Sequence, residues 1–92
     1  MNSSKPFNFR QFTIYDDLST MKVNTDGVLL GALVPVDNYR NILEIGCGAG
    51  YISIMLAQKN LNAQITAIDI DKNSIAQANY NFRNCKWANR LS

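Results

Sequence analysis

The stretch Ile42-Leu43-Glu44-Ile45-Gly46-Cys47-Gly48-Ala49-Gly50, followed by a second apolar run that reaches Asp69, leaves few folds open to this chain. Ile42 to Ile45 is short, apolar and rich in β-branched residues, the pattern of a strand buried on both faces. Glycines at alternate positions then make a tight turn. Tyr51 to Gln58 carries Ile52, Ile54, Met55, Leu56 and Ala57 and reads as a helix, apolar around much of its circumference. Asn60 to Asn62 breaks it, and Ile65 to Ile70 reads as a second strand that ends at Asp69. Strands joined through a helix in this way lie parallel, and the crossover is nearly always right-handed.

Asp71 suits the N-cap of a further helix, with Ile75, Ala76, Ala78, Asn79 and Phe82 at helical spacing. The unit is therefore α/β, the first half of a doubly wound, Rossmann-like sheet. It stops where a third strand is expected, and Lys86 to Leu91 is ambiguous. Two parallel strands need cover on both faces and one edge. Either the front segment supplies extra strands or the chain is the N-terminal portion of something longer, and the second is expected. In front of this unit, Phe7, Phe9, Phe12 and Ile14 alternate with a slip of phase at Gln11, which predicts two short strands or one bulged strand. Asp16-Asp17 predicts a turn and Met21 to Val23 a short strand. Thr25-Asp26 opens a helix as candidate caps, and Pro35 closes it.

Ninety-two residues make one small domain. With 47% hydrophobic and 17% charged residues the composition is that of an ordinary soluble globular protein. A formal charge of +2 is too small to argue for nucleic acid by itself. After Asp71, however, no acid follows, while Lys72, Arg83, Lys86 and Arg90 do. These read first as a solvated surface and second as a contribution to an RNA- or DNA-facing side. There is no histidine, and Cys47 and Cys85 are far apart in sequence, so a zinc site lacks ligands. Unpaired cysteines, the lack of a run long enough to span a membrane and the lack of a secretory core predict a cytoplasmic location.

A glycine turn after a strand lets a ligand approach the backbone, and an acid at the end of the next strand can accept hydrogen bonds from two ribose hydroxyls. The ligand is thus expected to contain adenosine, with Asp69 on its ribose. A dinucleotide site wants G-x-G-x-x-G, and the position of its last glycine is Tyr51, whose bulk opposes close helix–strand packing. The Gly-Lys-Ser/Thr of a phosphate loop is absent. G-x-G-x-G with an acid, Glu44, two residues before it favours S-adenosylmethionine. Glu44 sits in an apolar strand, where an unpartnered carboxylate is costly, so it reads as a ligand-site acid. Cys47 reads as a small loop residue whose backbone faces the cofactor, and Asp71 as a cap.

With Glu44, Gly46, Gly48, Gly50 and Asp69 in place, the chain resembles class I S-adenosylmethionine-dependent methyltransferases. Phe9-Arg10-Gln11-Phe12, Met21-Lys22-Val23 and Thr25-Asp26-Gly27-Val28-Leu29-Leu30-Gly31-Ala32 narrow this further. They resemble the N-terminal region of the tRNA1(Val) adenine-37 N6-methyltransferase family, within the small-domain group. The resemblance covers nearly the whole chain from Phe7. It implies that residues 1–34 form strands and a helix that cover the cofactor, and that residues 35–92 are the first half of the cofactor-binding domain. It implies that Lys22, Thr25, Asp26 and Gly27 hold the methionine end of the cofactor, with Glu44, Gly46, Cys47, Gly48, Gly50, Asp69 and Ile70 forming the rest of the site.

The activity so implied is methyl transfer to N6 of an adenine in tRNA. The family's catalytic Asn-Pro-Pro-Tyr/Phe is absent, the only prolines being Pro6 and Pro35. No catalytic residue is therefore assigned, and tRNA is expected to be held by parts of the protein beyond Ser92. The readings kept beside this one are an rRNA or protein-glutamine acceptor, and a non-catalytic, truncated cofactor-binding remnant.

Overall fold

The computed structural model describes residues 7–15, 23, 25–36 and 38–92, with the backbone alone for Phe7 and Thr25. Strands β1 (Phe7–Asn8) and β2 (Thr13–Ile14) form an antiparallel hairpin in the register Phe7↔Ile14 and Asn8↔Thr13. The slip of phase at Gln11 falls in the connection, where the Phe9 N–H donates to the Phe12 carbonyl at 2.8 Å and the two rings stack at 4.4 Å. Of the two arrangements the pattern left open, the chain adopts two short strands.

Helix α1 spans Thr25–Leu33, beginning at the expected Thr25-Asp26 start. Asp26 is exposed in the first turn, where a carboxylate meets the positive end of the helix dipole. The helix stops ahead of Pro35 as expected. The turn expected at Asp16-Asp17 lies outside the described residues. Of the expected Met21 to Val23 strand only Val23 is described, and it belongs to no strand.

Strand β3 (Asn41–Ile45), helix α2 (Tyr51–Lys59), strand β4 (Gln64–Ile68) and helix α3 (Lys72–Arg83) follow in the predicted order. β3 and β4 pair in parallel, from Asn41↔Gln64 to Ile45↔Ile68. After a 3-10 turn at Ala88–Arg90, Leu91 bridges Ile65 in parallel on the other edge of β4. The Ala67 N–H donates to the Ser92 carbonyl at 2.7 Å, and the Ser92 N–H donates to the Ile65 carbonyl at 3.0 Å. β4 is therefore the middle of three parallel segments, and part of the ambiguous Lys86 to Leu91 stretch belongs to the third.

The expectation that β3 is buried on both faces is not met. Leu43 is 58% exposed and Ile45 76%, whereas Ile42 and Glu44, which point the other way, are half-buried. Successive strand residues alternate between faces. Helix α2 packs on β4, and among the described residues the face that carries Leu43, Ile45 and Ile68 is open.

The buried face of α3 also differs from the predicted one. Ala76 and Asn79 are exposed, and the inward residues are Ser74, Gln77, Ala78, Asn81 and Phe82. Three polar side chains lie on that face, and a reading by hydropathy alone passes over them. Ile14, Ile54 and Ile65 are fully buried in one core that joins the hairpin, α2, β4 and α3.

Side chains close the helix ends. Lys59 Nζ donates to the carbonyls of Gly31, Ala32 and Val34 at 3.4, 3.0 and 2.5 Å, at the C-terminus of α1. Arg90 donates to the carbonyls of Ala57, Asn60 and Ala63 at 2.7–2.9 Å, in the last turn of α2 and just beyond it. These bonds satisfy carbonyls that a helix cannot pair internally. Arg90, one of the four cations after Asp71, is thus a structural residue.

The α1–α2 contact rests on two glycines. A Cβ at Gly27 would collide with the Tyr51 hydroxyl, and one at Gly31 would lie 2.7 Å from Met55 Sδ. The pairs Gly27/Gly31 and Tyr51/Met55 both have helical i, i+4 spacing, so the two rows mesh along the contact.

Candidate functional site

The glycine turn connects the end of β3 to α2, and its backbone is held by the end of β4. The N–H groups of Gly46 and Cys47 both donate to the Ile68 carbonyl, at 2.8 and 3.0 Å. The Gly48 N–H donates to Asp69 Oδ2 at 2.9 Å, and the Gly50 N–H donates to the Cys47 carbonyl at 2.9 Å. Gly46, Gly48 and Gly50 have φ of 75°, 55° and 89°, in the left-handed region that favours glycine. Two of these glycines differ in what surrounds them. A Cβ on Gly50 would stand 2.8 Å from Phe82 Cε1, so this glycine lets the turn close onto α3. A Cβ on Gly46 would meet nothing within 4 Å, so its bare backbone faces open space where a ligand can approach.

Asp69 lies just after β4 and anchors two backbone groups. Its Oδ2 takes the Gly48 N–H, and its Oδ1 takes the Asp71 N–H at 2.9 Å. These bonds, that from Asp71 first and that from Gly48 second, hold the Asp69 carboxyl below the usual carboxylate range. A carboxylate has about four lone-pair sites, so each oxygen keeps capacity for a further donor. Asp71 is the N-cap of α3, its Oδ2 accepting from the Ser74 N–H at 2.9 Å and from the Ser74 hydroxyl at 2.8 Å.

Glu44 points to the α2 side of β3, where its Oε1 accepts the Ser53 hydroxyl at 2.5 Å. Burial pushes its carboxyl above the usual range, against the lowering effect of the Ser53 bonds. Ser53 is fully buried and was missed in the sequence reading. The available signal was a lone hydroxyl between Ile52 and Ile54, in the first turn after the glycines. Cys47 turns its thiol inward, 3.7 Å from the Gly48 carbonyl. Burial, with the Glu44 and Asp69 carboxylates nearby, pushes this thiol up to about 11. Both cysteines are free thiols.

An open recess of about 160 Å³ is lined by Ile45, Gly46, Ile68, Asp69 and Ile70. It combines an acid able to bind hydroxyls, an approachable backbone at Gly46 and apolar side chains, Ile70 being fully exposed. That set can accept hydrogen bonds from ligand hydroxyls at Asp69 and pack a flat ring face against the isoleucines. Among the described residues, no group of three or more His, Cys, Asp or Glu could hold a metal ion. No helix among them is long and apolar enough to cross a membrane.

The predicted site residues thus fall into groups. Glu44, Gly46, Cys47, Gly48, Gly50, Asp69 and Ile70 lie together around the turn and the end of β4. Gly27 is not among the residues that line the recess and packs on Tyr51, the residue after Gly50, and Asp26 is exposed beside it. The side chain of Thr25 and the whole of Lys22 lie outside the described residues.

The chain is 49% identical over 85 residues to the tRNA1(Val) (adenine(37)-N6)-methyltransferase of Glaesserella parasuis, covering 92% of this chain and 36% of that protein. It is 52% identical over 85 residues to the enzyme of the same name from Phocaeicola vulgatus, with the same coverage. The chain thus spans little more than a third of the length of these relatives. Among solved structures it is similar to a Staphylococcus aureus protein assigned as a caffeoyl-CoA O-methyltransferase, with a TM-score of 0.61 and 26% identity over 79% of this chain and 35% of that one. The fold also matches that of YjhP from E. coli, with a TM-score of 0.57 and 23% identity over 71% of this chain and 26% of that one. The model of the methyltransferase small domain matches residues 18–91. The chain belongs to the methyltransferase small domain family.

Proposed function

We propose that this chain carries the donor-binding part of an S-adenosylmethionine-dependent methyltransferase acting on N6 of an adenine in tRNA. The observation that carries the donor reading is the recess at Asp69. It sets a carboxylate with spare acceptor capacity beside a glycine with open space in front of it. The acceptor is inferred from the relatives named for that reaction at 49% and 52% identity.

When bound, the donor supplies an electrophilic methyl on a sulfonium, so the protein's work is mainly positioning and electrostatic environment. In this reading Asp69 accepts the two ribose hydroxyls, and Gly46, Gly48 and Gly50 shape the turn that lies along the donor. Ile70 and Ile45 flank the base, and Glu44, steadied by Ser53, sets negative charge toward the amino-acid end. Cys47 fills the turn as a small residue. The assignment of Lys22, Thr25, Asp26 and Gly27 to the methionine end rests on the resemblance alone, as does the division into a covering segment, 1–34, and a binding segment, 35–92. No residue of the chain is assigned to holding the adenine, because Asn-Pro-Pro-Tyr/Phe is absent from it.

The test is transfer of labelled methyl from S-adenosylmethionine to unmodified tRNA by the whole enzyme to which this donor-binding part is proposed to belong, followed by nucleoside analysis. Label in N6-methyladenosine that is lost with Asp69→Ala supports the reading. Label in rRNA or on protein glutamine, with none in tRNA, would replace the acceptor and keep the donor.

A further inference from the structure

We infer that Asn81 is a positioning residue that ties the glycine turn to the N-terminal hairpin, so that filling the donor site and seating Tyr15 depend on one another. The inference rests on the donor reading proposed above and goes beyond it by naming a residue remote from the recess.

Asn81 sits on the inner face of α3 and is fully buried. Its Nδ2 donates to the Tyr15 carbonyl and to the Ala49 carbonyl, both at 2.8 Å, and its Oδ1 accepts the Tyr15 N–H at 2.9 Å. One side-chain amide therefore engages both backbone groups of Tyr15, as a neighbouring strand would, and holds the turn with its remaining hydrogen. Ala49 lies between Gly48, whose N–H sits on Asp69, and Gly50, which packs on Phe82. The same helix also meets the Tyr15 ring through Tyr80, edge to face at 5.3 Å.

Both hydrogens of the amide are used, so a shift of the Ala49 carbonyl changes the bond that shares its donor group with Tyr15. A ligand that fixes the turn favours the seated hairpin, and a seated hairpin favours the turn that the ligand needs. By linkage the two effects are equal in size. A buried group left unpaired costs enough to change an affinity about tenfold.

The experiment measures S-adenosylhomocysteine binding by calorimetry, and amide exchange at Tyr15 and Gly48 with and without that ligand. The proteins are the wild type, Asn81→Ala and Asn60→Ala. Asn60 is the control: a buried amide that bonds the Val36 and Tyr39 carbonyls and takes the N–H groups of Asn62 and Ala63, away from the turn. The expected result is that ligand slows exchange at both Gly48 and Tyr15 in the wild type. Asn81→Ala should bind about tenfold more weakly and lose the response at Tyr15, and folded Asn60→Ala should keep both. Equal affinity in Asn81→Ala, or an unchanged response at Tyr15, overturns the inference.

If Asn81→Ala does not fold, the wild type decides. Slowing at both amides supports the coupling, and slowing at Gly48 alone overturns it. Absence of any binding to the wild type overturns the donor reading and this inference together, whereas binding without a Tyr15 response overturns only this inference.

Discussion

The Gly48 N–H and Asp69 Oδ2 are 2.9 Å apart, so the glycine turn and the acid after the next strand are one hydrogen-bonded unit. The acid fixes the turn before any ligand arrives, and the turn in return holds the acid ionised. Replacing Asp69 with Ala removes the anchor of Gly48 together with the acceptors proposed for the donor's ribose. Hydrogen bonds to a charged group are worth about 1.5–3 kcal/mol, so affinity for S-adenosylhomocysteine should fall by about 10- to 100-fold, as read by calorimetry. An unchanged affinity would remove Asp69 from the site.

Asp69 and Glu44 should shift stability with pH in opposite senses. The folded-state value of Asp69 is lowered from 3.8, so its contribution is present above that value and is lost as pH falls through the lower folded value. The folded-state value of Glu44 is raised from 4.5, so the folded state binds the proton more tightly. Its effect is a destabilisation that grows as pH rises from 4.5 through the higher folded value. Glu44→Gln, which keeps an oxygen for Ser53, should be at least as stable as the wild type at pH 7, with the gain vanishing below pH 4.5. Its donor affinity should be weaker. Urea titrations across pH, with calorimetry at pH 7, check both parts.

The strand–turn–helix–strand frame and the cap at Asp71 were legible because hydrophobic period, glycines and a capping carboxylate are local signals. The open face of β3 was not. Ile42-Leu43-Glu44-Ile45 reads the same whether one face or two are covered, and the cover is set by tertiary packing. The polar inner face of α3 escaped for a related reason. Gln77 and Asn81 are buried without being apolar, and only the partners that the fold brings to Asn81 explain its burial. Gly27 was assigned by resemblance, whereas its contact with Tyr51 depends on how α1 lies on α2.

Gly27 and Gly31 should respond unequally to alanine. At Gly27 the new methyl meets the Tyr51 hydroxyl and ring, and Tyr51 is itself buried. Gly27→Ala should cost about 1–3 kcal/mol, the usual range for overpacking. At Gly31 the obstacle is the flexible thioether of Met55, so Gly31→Ala should cost less. Chemical denaturation of the two variants measures the difference, and an equal or reversed order contradicts this packing.

Neither cysteine should behave as a reactive thiol. The Cys47 thiol is buried and pushed up to about 11, and burial raises Cys85 as well. The thiolate is the nucleophile, so both should react with a thiol reagent at pH 7 far more slowly than a free cysteine, and at the ordinary rate in denaturant. Fast labelling of Cys47 in the native protein would show that the turn opens far more readily than its hydrogen bonds imply.

The most direct measurement of the central claim is a calorimetric titration of the protein with S-adenosylhomocysteine, set beside one with NAD. Saturable binding of the first, weakened in Asp69→Ala, with no heat from the second, is the predicted result. Binding of NAD in preference, or of neither, would contradict the assignment of the recess at Asp69 to a methyl donor.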